Sequence, residues 1–438
     1  MEFGRYLEKG AWGTGAKVCV ALYGLFSTLI AIRTIPVVEY GIYAIVQSVF
    51  IVFSSTTSSL AIQPLVKFVS EGDDYGEYIA ASGFYFFGFT LVGSLFLFSI
   101  RIPLAELLEG NNTQSLIAGI SLAPALVVSS SLRLFMMGLL QARLCIEKIF
   151  WIELSLLSSS LLFFFVAHLV GMIRVATDVI WVLVLSNLVS SILAVAMSRS
   201  IWTFRWRLSK EKLSSIWNFG KFTFLSSVCF SIYSQLDVFL VASLSGITQV
   251  AIYNAARVFT RIFDIYNQIV QLFLVPLSSR RNHEGKKGDL RLIVEKSILF
   301  SLVAFIPVIL SFVFFSEDLI RLLYGIRYAE AAPVLAVLSI LALTTPWHAV
   351  FGSVLVGIGQ VKIGFYLSLL FIGFSLGLYF VFVPFLGALG AAISVSSSGI
   401  VLAIAISVVS RKFVPFTVAS VFSRFSDITA FIRRRKLY

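Results

Sequence analysis

From residue 12 to residue 410 the chain is a succession of continuous apolar runs, each long enough to cross a bilayer, and this feature leaves little choice of fold. The runs fall at 12–32, 41–65, 79–100, 115–140, 151–171, 178–198, 219–244, 251–276, 292–315, 331–358, 363–383 and 388–410. A helix crossing ~30 Å of hydrocarbon needs roughly 20 apolar residues at ~1.5 Å each. Within hydrocarbon only a helix or a closed barrel satisfies its own backbone hydrogen bonds. Continuous rather than alternating runs exclude the barrel. With 58% hydrophobic and 13% charged residues and a mean hydropathy of +0.95, the expectation is an all-α integral membrane protein of about twelve transmembrane helices.

Lysine and arginine orient these spans. With both termini inside, the cytoplasmic segments and adjoining helix ends hold 26 of the 34 basic residues, external loops five and helix interiors three, the asymmetry of a positive-inside topology. The strongest contributions are SRSIWTFRWRLSKEK, RRNHEGKK and the tail ending RRRKLY. The net charge of +12 therefore describes contact with an anionic leaflet and not nucleic-acid binding. Residues 411–438 alternate Phe413, Phe416, Phe422, Phe425, Ile428 and Phe431 with Arg424, Asp427 and Arg433 to Arg435, the pattern of an interfacial amphipathic helix. The charged start MEFGRYLEKG enters the first span without a small-residue cleavage site, so that span is expected to serve as its own insertion signal. Cys19, Cys145 and Cys229 have no metal-type spacing, and neither disulfides nor a metal site are expected.

Short matches recur in order. EYGIYA at 39–44 and QVAIYNA at 249–255 open spans 2 and 8, Pro64 and Pro276 close them, and LLEG at 107–110 and LLYG at 322–325 follow spans 3 and 9. Two halves of six helices would insert with the same orientation, as parallel repeats around a central cavity. The expected parts are an N-terminal lobe over 1–200, a basic cytoplasmic linker over 201–218, a C-terminal lobe over 219–410 and the basic tail over 411–438.

An ionisable side chain inside a span costs at least ~2.5 kcal/mol, so each one needs a cavity or a partner. In YNAARVFTRIFDIYNQ, Arg257, Arg261, Asp264 and Gln268 follow at intervals of four, three and four residues, which a continuous α-helix aligns on one face. That face is expected to look into the cavity. Asp237 on span 7 matches Arg257 in depth and can bridge to it. Arg261, nearer the midplane, reaches Asp264 but is repelled by Arg257 at i and i+4, and an anionic guest would relieve the repulsion. The same charges also read as pairs that hold helices together, and both readings can coexist. Lys17 and Lys221 lie close enough to the basic face to snorkel. Arg133 and Glu153 share the cytoplasmic third and can pair; with Lys17 they are secondary cavity candidates. His348, beside Pro346 and Trp347 in TTPWHAV, reads either as a proton relay or as a hydrogen-bonded core histidine. No phosphate loop, nucleophile elbow, HExxH or zinc-ligand cluster is present, and the loops are too short for a catalytic domain; enzymatic chemistry is not expected.

RTIPVVEYGIYA, QLDVFLVASLSGITQVAIYNAARV, VPLSSR and YAEAAPVLAVLSI together resemble the Wzx-type polysaccharide flippases of the multidrug/oligosaccharidyl-lipid/polysaccharide (MOP) exporter superfamily. The resemblance implies a V-shaped bundle of two six-helix lobes in the bacterial inner membrane. It implies alternating access that moves undecaprenyl-diphosphate-linked O-antigen or exopolysaccharide units from the cytoplasmic to the periplasmic leaflet. A cationic cavity would hold the diphosphate; Asp237 matches the acid of the span 7 pattern, and Arg257 and Arg261 lie where inward-facing span 8 charges would. No cofactor is implied beyond an H⁺ or Na⁺ coupling ion; membrane lipids, a polysaccharide polymerase and a chain-length regulator are the implied partners. The chain departs from lipid II flippases of the superfamily in lacking their basic residues on spans 1 and 2 and in having twelve spans rather than fourteen. A cation-coupled multidrug antiporter is the main rival, although span 1 carries no acid. A non-transporting membrane scaffold, or a polymerase lacking its large external loop, is the reading from another class.

Overall fold

The computed structural model describes residues 2–71, 76–108, 113–201, 208–285 and 287–424, and among these there is no strand. Among these residues, eleven continuous helical runs are long and apolar enough to cross a membrane. One of them, Lys362–Ser410, would measure ~74 Å as a straight rod, more than twice the hydrocarbon thickness. It is jointed at Gly387, whose φ of 54° and ψ of −128° lie outside helical geometry, so two lengths of crossing size meet with no loop between them. Gly390 lies directly against the Phe382 carbonyl, where no Cβ would fit.

Residues 1–251 form one compact unit and 252–438 a second. In the first, the helices are α1 (Glu2–Thr34), α2 (Val37–Glu71), α3 (Gly76–Ser99), α4 (Arg101–Leu108), α5 (Thr113–Ala142), α6 (Ile146–Leu169), α7 (Ala176–Ser198) and α8 (Lys210–Ser245). α5 packs against α2, α3 and α7, and α1 against α6, around Leu65, Phe86, Phe135, Met136 and Leu139. The division falls at 251/252 rather than within 201–218, because α8 lies along α2. Their seam is made of hydroxyls: Ser48 donates to Gln235 Oε1 (3.0 Å), Ser55 and Ser231 share a hydrogen bond (2.5 Å), and Thr223 donates to the Ser59 carbonyl (2.8 Å). Pro64 does not end α2, which continues to Glu71. A proline has no N–H to offer the carbonyl four residues back, here that of Leu60, and Gly220 of α8 occupies the space against that carbonyl, leaving no room for a Cβ.

The second unit holds α9 (Ile247–Arg257, whose first five residues belong to the first unit), α10 (Arg261–His283), α11 (Lys287–Phe314), α12 (Ser316–Tyr324), α13 (Ala331–Leu338), α14 (Leu341–Gly357), α15 (Val361–Ser410) and α16 (Val418–Ser423). α10 passes through Pro276 as α2 passes through Pro64. The short α4 and α12 occupy corresponding places after α3 and α11, where the sequence reading has loops. Expected span 10 is divided at Ser339–Ile340, where Ser396 of α15 donates to the Val337 carbonyl (3.1 Å). The unit's core gathers Val294, Ile298, Phe351, Val354 and Ile406, and Val414, Phe416 and Val421 from beyond α15 join it. The chain after Ser410 is therefore not laid on the membrane as one amphipathic helix. It turns back and seats α16, which is only six residues long; residues 425–438 lie outside the described ones. Glu295 on α11, fully buried, accepts from Arg291 Nε (2.7 Å), Ser420 Oγ (2.6 Å) and Arg424 Nε (3.0 Å). A buried carboxylate needs such partners, and two of its three come from the returning segment.

Candidate functional site

The polar stripe of YNAARVFTRIFDIYNQ does not ride on one unbroken α-helix. α9 ends at Arg257, a single 3-10 turn spans Val258–Thr260, and α10 begins at Arg261. Each residue of a 3-10 turn advances by ~120° instead of ~100°, so three of them rotate Arg261 away from Arg257 by roughly 60° relative to the expected single face. The burial follows: Arg257 is half-buried while Arg261, Asp264 and Gln268 are exposed. The expected stripe is thus two half-stripes. Asn254 precedes Arg257 by three residues on the first, and Gln271 follows Gln268 by three on the second. Both continue the polar spacing that picked out the others, and the sequence reading passed over them.

Ring contacts fix the depth. Tyr266 donates to Ser301 (2.5 Å), and residue 301 is the midpoint of the crossing Gly288–Phe314. Arg261 is five residues, ~7 Å, toward the other end, and Phe259 meets Phe312 and Tyr324 (5.6 and 5.9 Å between centroids). Arg261 therefore lies to the α12 side of the crossing's midpoint, which falls near Tyr266. Burial raises the Tyr324 hydroxyl pKa and the positive charge of nearby Arg261 opposes this. Both arginines act electrostatically on Asp264, yet Arg261 makes no ion pair within 4 Å among the described residues.

The remaining candidates are placed as follows. Asp237 belongs to the first unit, on α8, where its carboxylate accepts the Val238 N–H (2.9 Å). Lys17 is exposed on α1. Arg133 and Glu153 meet in the first unit, Nη1 lying 3.1 Å from each carboxylate oxygen, and both are buried. Arg133 Nε and, on α7, Asn187 Oδ1 are buried without a hydrogen-bond partner. His348 Nε2 is 2.9 Å from the Gly399 carbonyl. A carbonyl only accepts, so that nitrogen carries the proton and Nδ1 is the open acceptor. No group of three or more potential metal ligands occurs among the described residues.

The sequence pattern of a family described as polysaccharide biosynthesis protein matches residues 30–333. The chain is 29% identical over 189 residues to an uncharacterized membrane protein of Methanocaldococcus jannaschii (42% of this chain, 37% of that one). It is 23% identical over 206 residues to a "Probable low-salt glycan biosynthesis flippase" of Haloferax volcanii (45% and 44%), and 25% identical over 179 residues to a teichuronic acid biosynthesis protein of Bacillus subtilis (40% and 36%). It spans less than half the length of each of these relatives. Among solved structures, an inward-facing multidrug resistance MATE family transporter of the MOP superfamily superposes with a TM-score of 0.73 at 14% identity, covering 92% of this chain and 96% of that one. A lipid II flippase in an inward closed conformation superposes with a TM-score of 0.72 at 14% identity (97% and 93%). At this identity the likeness concerns the fold: a multi-pass helical bundle of the MOP type.

Proposed function

Because the chain belongs to the polysaccharide biosynthesis protein family over residues 30–333, we propose that it is a flippase for lipid-linked oligosaccharides. In this reading it carries undecaprenyl-diphosphate-linked O-antigen or exopolysaccharide units from the cytoplasmic to the periplasmic leaflet of a bacterial inner membrane by alternating access. Both termini face the cytoplasm, and a polymerase and a chain-length regulator take over the product. The name of the haloarchaeal relative and the fold shared with the lipid II flippase support it.

The observation that carries the reading is Arg261, an exposed guanidinium within an apolar crossing that forms no ion pair among the described residues. Its planar fork suits a diphosphate, donating two parallel hydrogen bonds to one phosphate group. Asp264, one turn on, tempers that attraction, and a carrier needs binding strong enough to load and weak enough to release. The amides of Gln268 and Gln271, and of Asn254 on the upstream half-stripe, both donate and accept, as recognition of sugar hydroxyls requires. No bond is made or broken in the cargo. An H⁺ or Na⁺ gradient is the proposed driving force, with Asp237 and Asp264 as the titratable groups that couple to it.

The test is complementation of a strain lacking the gene, scoring surface polysaccharide against membrane abundance. Arg261→Ala is expected to abolish export at wild-type abundance. Full export by that variant removes the arginine from transport, and cation-dependent drug efflux without polysaccharide export would replace the flippase by the antiporter.

A further inference from the structure

The second unit carries a groove whose construction suits one kind of occupant. On α15, Ala403 and Ser407 form a row of small residues at i and i+4 that ends at Arg411; beside it, Ile400, Ile404 and Val408 form a row of large ones. Rows of this kind make the grooves and ridges of a helix surface. Leu343, Thr344 and Trp347 of α14 provide the opposite wall, and Val418 of α16 closes the end near Arg411. The floor is buried at Thr344, Ala403 and Ser407, while Leu343, Ile400, Ile404, Val408 and Val418 stand exposed along the edges. From Ile400 to Arg411 the groove is ~16 Å long, close to half of the ~30 Å hydrocarbon core. Its volume is about 230 Å³, room for one hydrocarbon chain lying lengthwise along it.

The cation at its end differs from its neighbours. Arg291 and Arg424 are both committed to Glu295. Arg411 has no carboxylate or hydrogen-bond acceptor for its guanidinium among the described residues; its recorded side-chain neighbour is the Phe416 ring, 5.6 Å away. That ring is fixed in the core against Phe351, so the arginine is held at the groove mouth at little further loss of freedom. The exposed Lys412 adds a second positive charge there.

We propose that this groove is a binding site for an anionic phospholipid of the leaflet at the basic end of the bundle: one acyl chain lies along Ala403 and Ser407 and the headgroup phosphate meets Arg411. The site does not depend on what the protein transports. Because Val418 forms part of it, the Glu295 contacts that seat α16 also shape the lipid site.

The protein is purified into nanodiscs of phosphatidylcholine with and without phosphatidylglycerol, and retained lipids are weighed by native mass spectrometry. Wild type should retain phosphatidylglycerol in preference to phosphatidylcholine. Arg411→Gln should lower that preference roughly fivefold, the weight of one basic residue at an anionic surface, and Arg411→Lys should keep most of it. Ile404→Trp, which fills the groove, should reduce retention of both lipids. Glycerol 1-phosphate in solution should displace nothing. The proposal is overturned if wild type shows no preference, if Arg411→Gln retains phosphatidylglycerol as wild type does, or if the soluble phosphate displaces the lipid, since that would leave a phosphate site without a chain.

Discussion

Arg133 and Arg261 are both guanidinium groups within long apolar helices, and the protein treats them oppositely. Arg133, in the first unit, is buried and spans both oxygens of Glu153. Arg261, in the second, is exposed, lies just past a 3-10 turn, and faces a carboxylate one turn away without closing on it. A buried pair gives back much of its desolvation cost only when both partners are present, so the charge of Arg133 is answered within the unit, even though its Nε is left without a hydrogen-bond partner. The second keeps its donors available. Within one chain, then, an intramembrane charge is not by itself a candidate site; in the proposed reading, the charge left without an ion-pair partner is the one that meets the cargo.

The largest expected effect tests the unpartnered side of this contrast. Arg261→Ala should reduce surface polysaccharide to near background at normal abundance, and Arg261→Lys, which keeps the charge but loses the fork, should lose several-fold. An equal loss for both would make the fork decisive; no loss for Lys would reduce the site to its charge. The paired side should respond through stability. Removing either partner strands a buried charge at ~3–5 kcal/mol, so Arg133→Ala and Glu153→Ala should each fall strongly in membrane abundance, while Arg133→Met with Glu153→Leu should recover most of it. Export per molecule should stay close to wild type in the double variant, and a specific export defect there would give the pair a role in transport. Next in size is Gly220→Val, which puts a side chain against the Leu60 carbonyl; overpacking of this kind costs ~1–3 kcal/mol, read as a lower melting temperature in detergent. The smallest effect is expected at His348. Glutamine can reproduce the hydrogen bond that Nε2 donates to the Gly399 carbonyl, so His348→Gln should leave the pH profile of export unchanged; a flattened profile would assign the imidazole to the proton path.

Much of this was readable before any coordinates, because hydrocarbon allows few ways to satisfy a backbone and the runs that satisfy them are long. The stripe from Arg257 to Gln268 was readable for the same reason, as polar residues at helical spacing in an apolar segment. Three features were not. The 3-10 turn at Val258–Thr260 leaves no mark in residue types, so the rotation between Arg257 and Arg261 stayed hidden. The ties of Glu295 to Ser420 and Arg424 join residues 125 and 129 positions apart, and periodicity carries no information over that distance; the basic tail was therefore read as an interfacial amphipathic helix. The packing of α8 with the first unit rests on Gly220 and a set of serines, residues whose small size is visible in the sequence but whose partner is not.

The joint at Gly387 has a consequence for how the chain is made. Since no polar loop separates the two lengths of α15, there is little to translocate between them, and they are suited to enter the bilayer together as a helical hairpin. Phe385 and Leu386, exposed at its tip, give that hairpin an apolar leading end. Any other residue at 387 would favour ordinary helical angles and drive the hairpin toward a rod that no bilayer accommodates. The single glycine thus holds the bend that lets the last length of α15 fold back beside the one before it, so α16 and the Arg411 groove take their place from that bend.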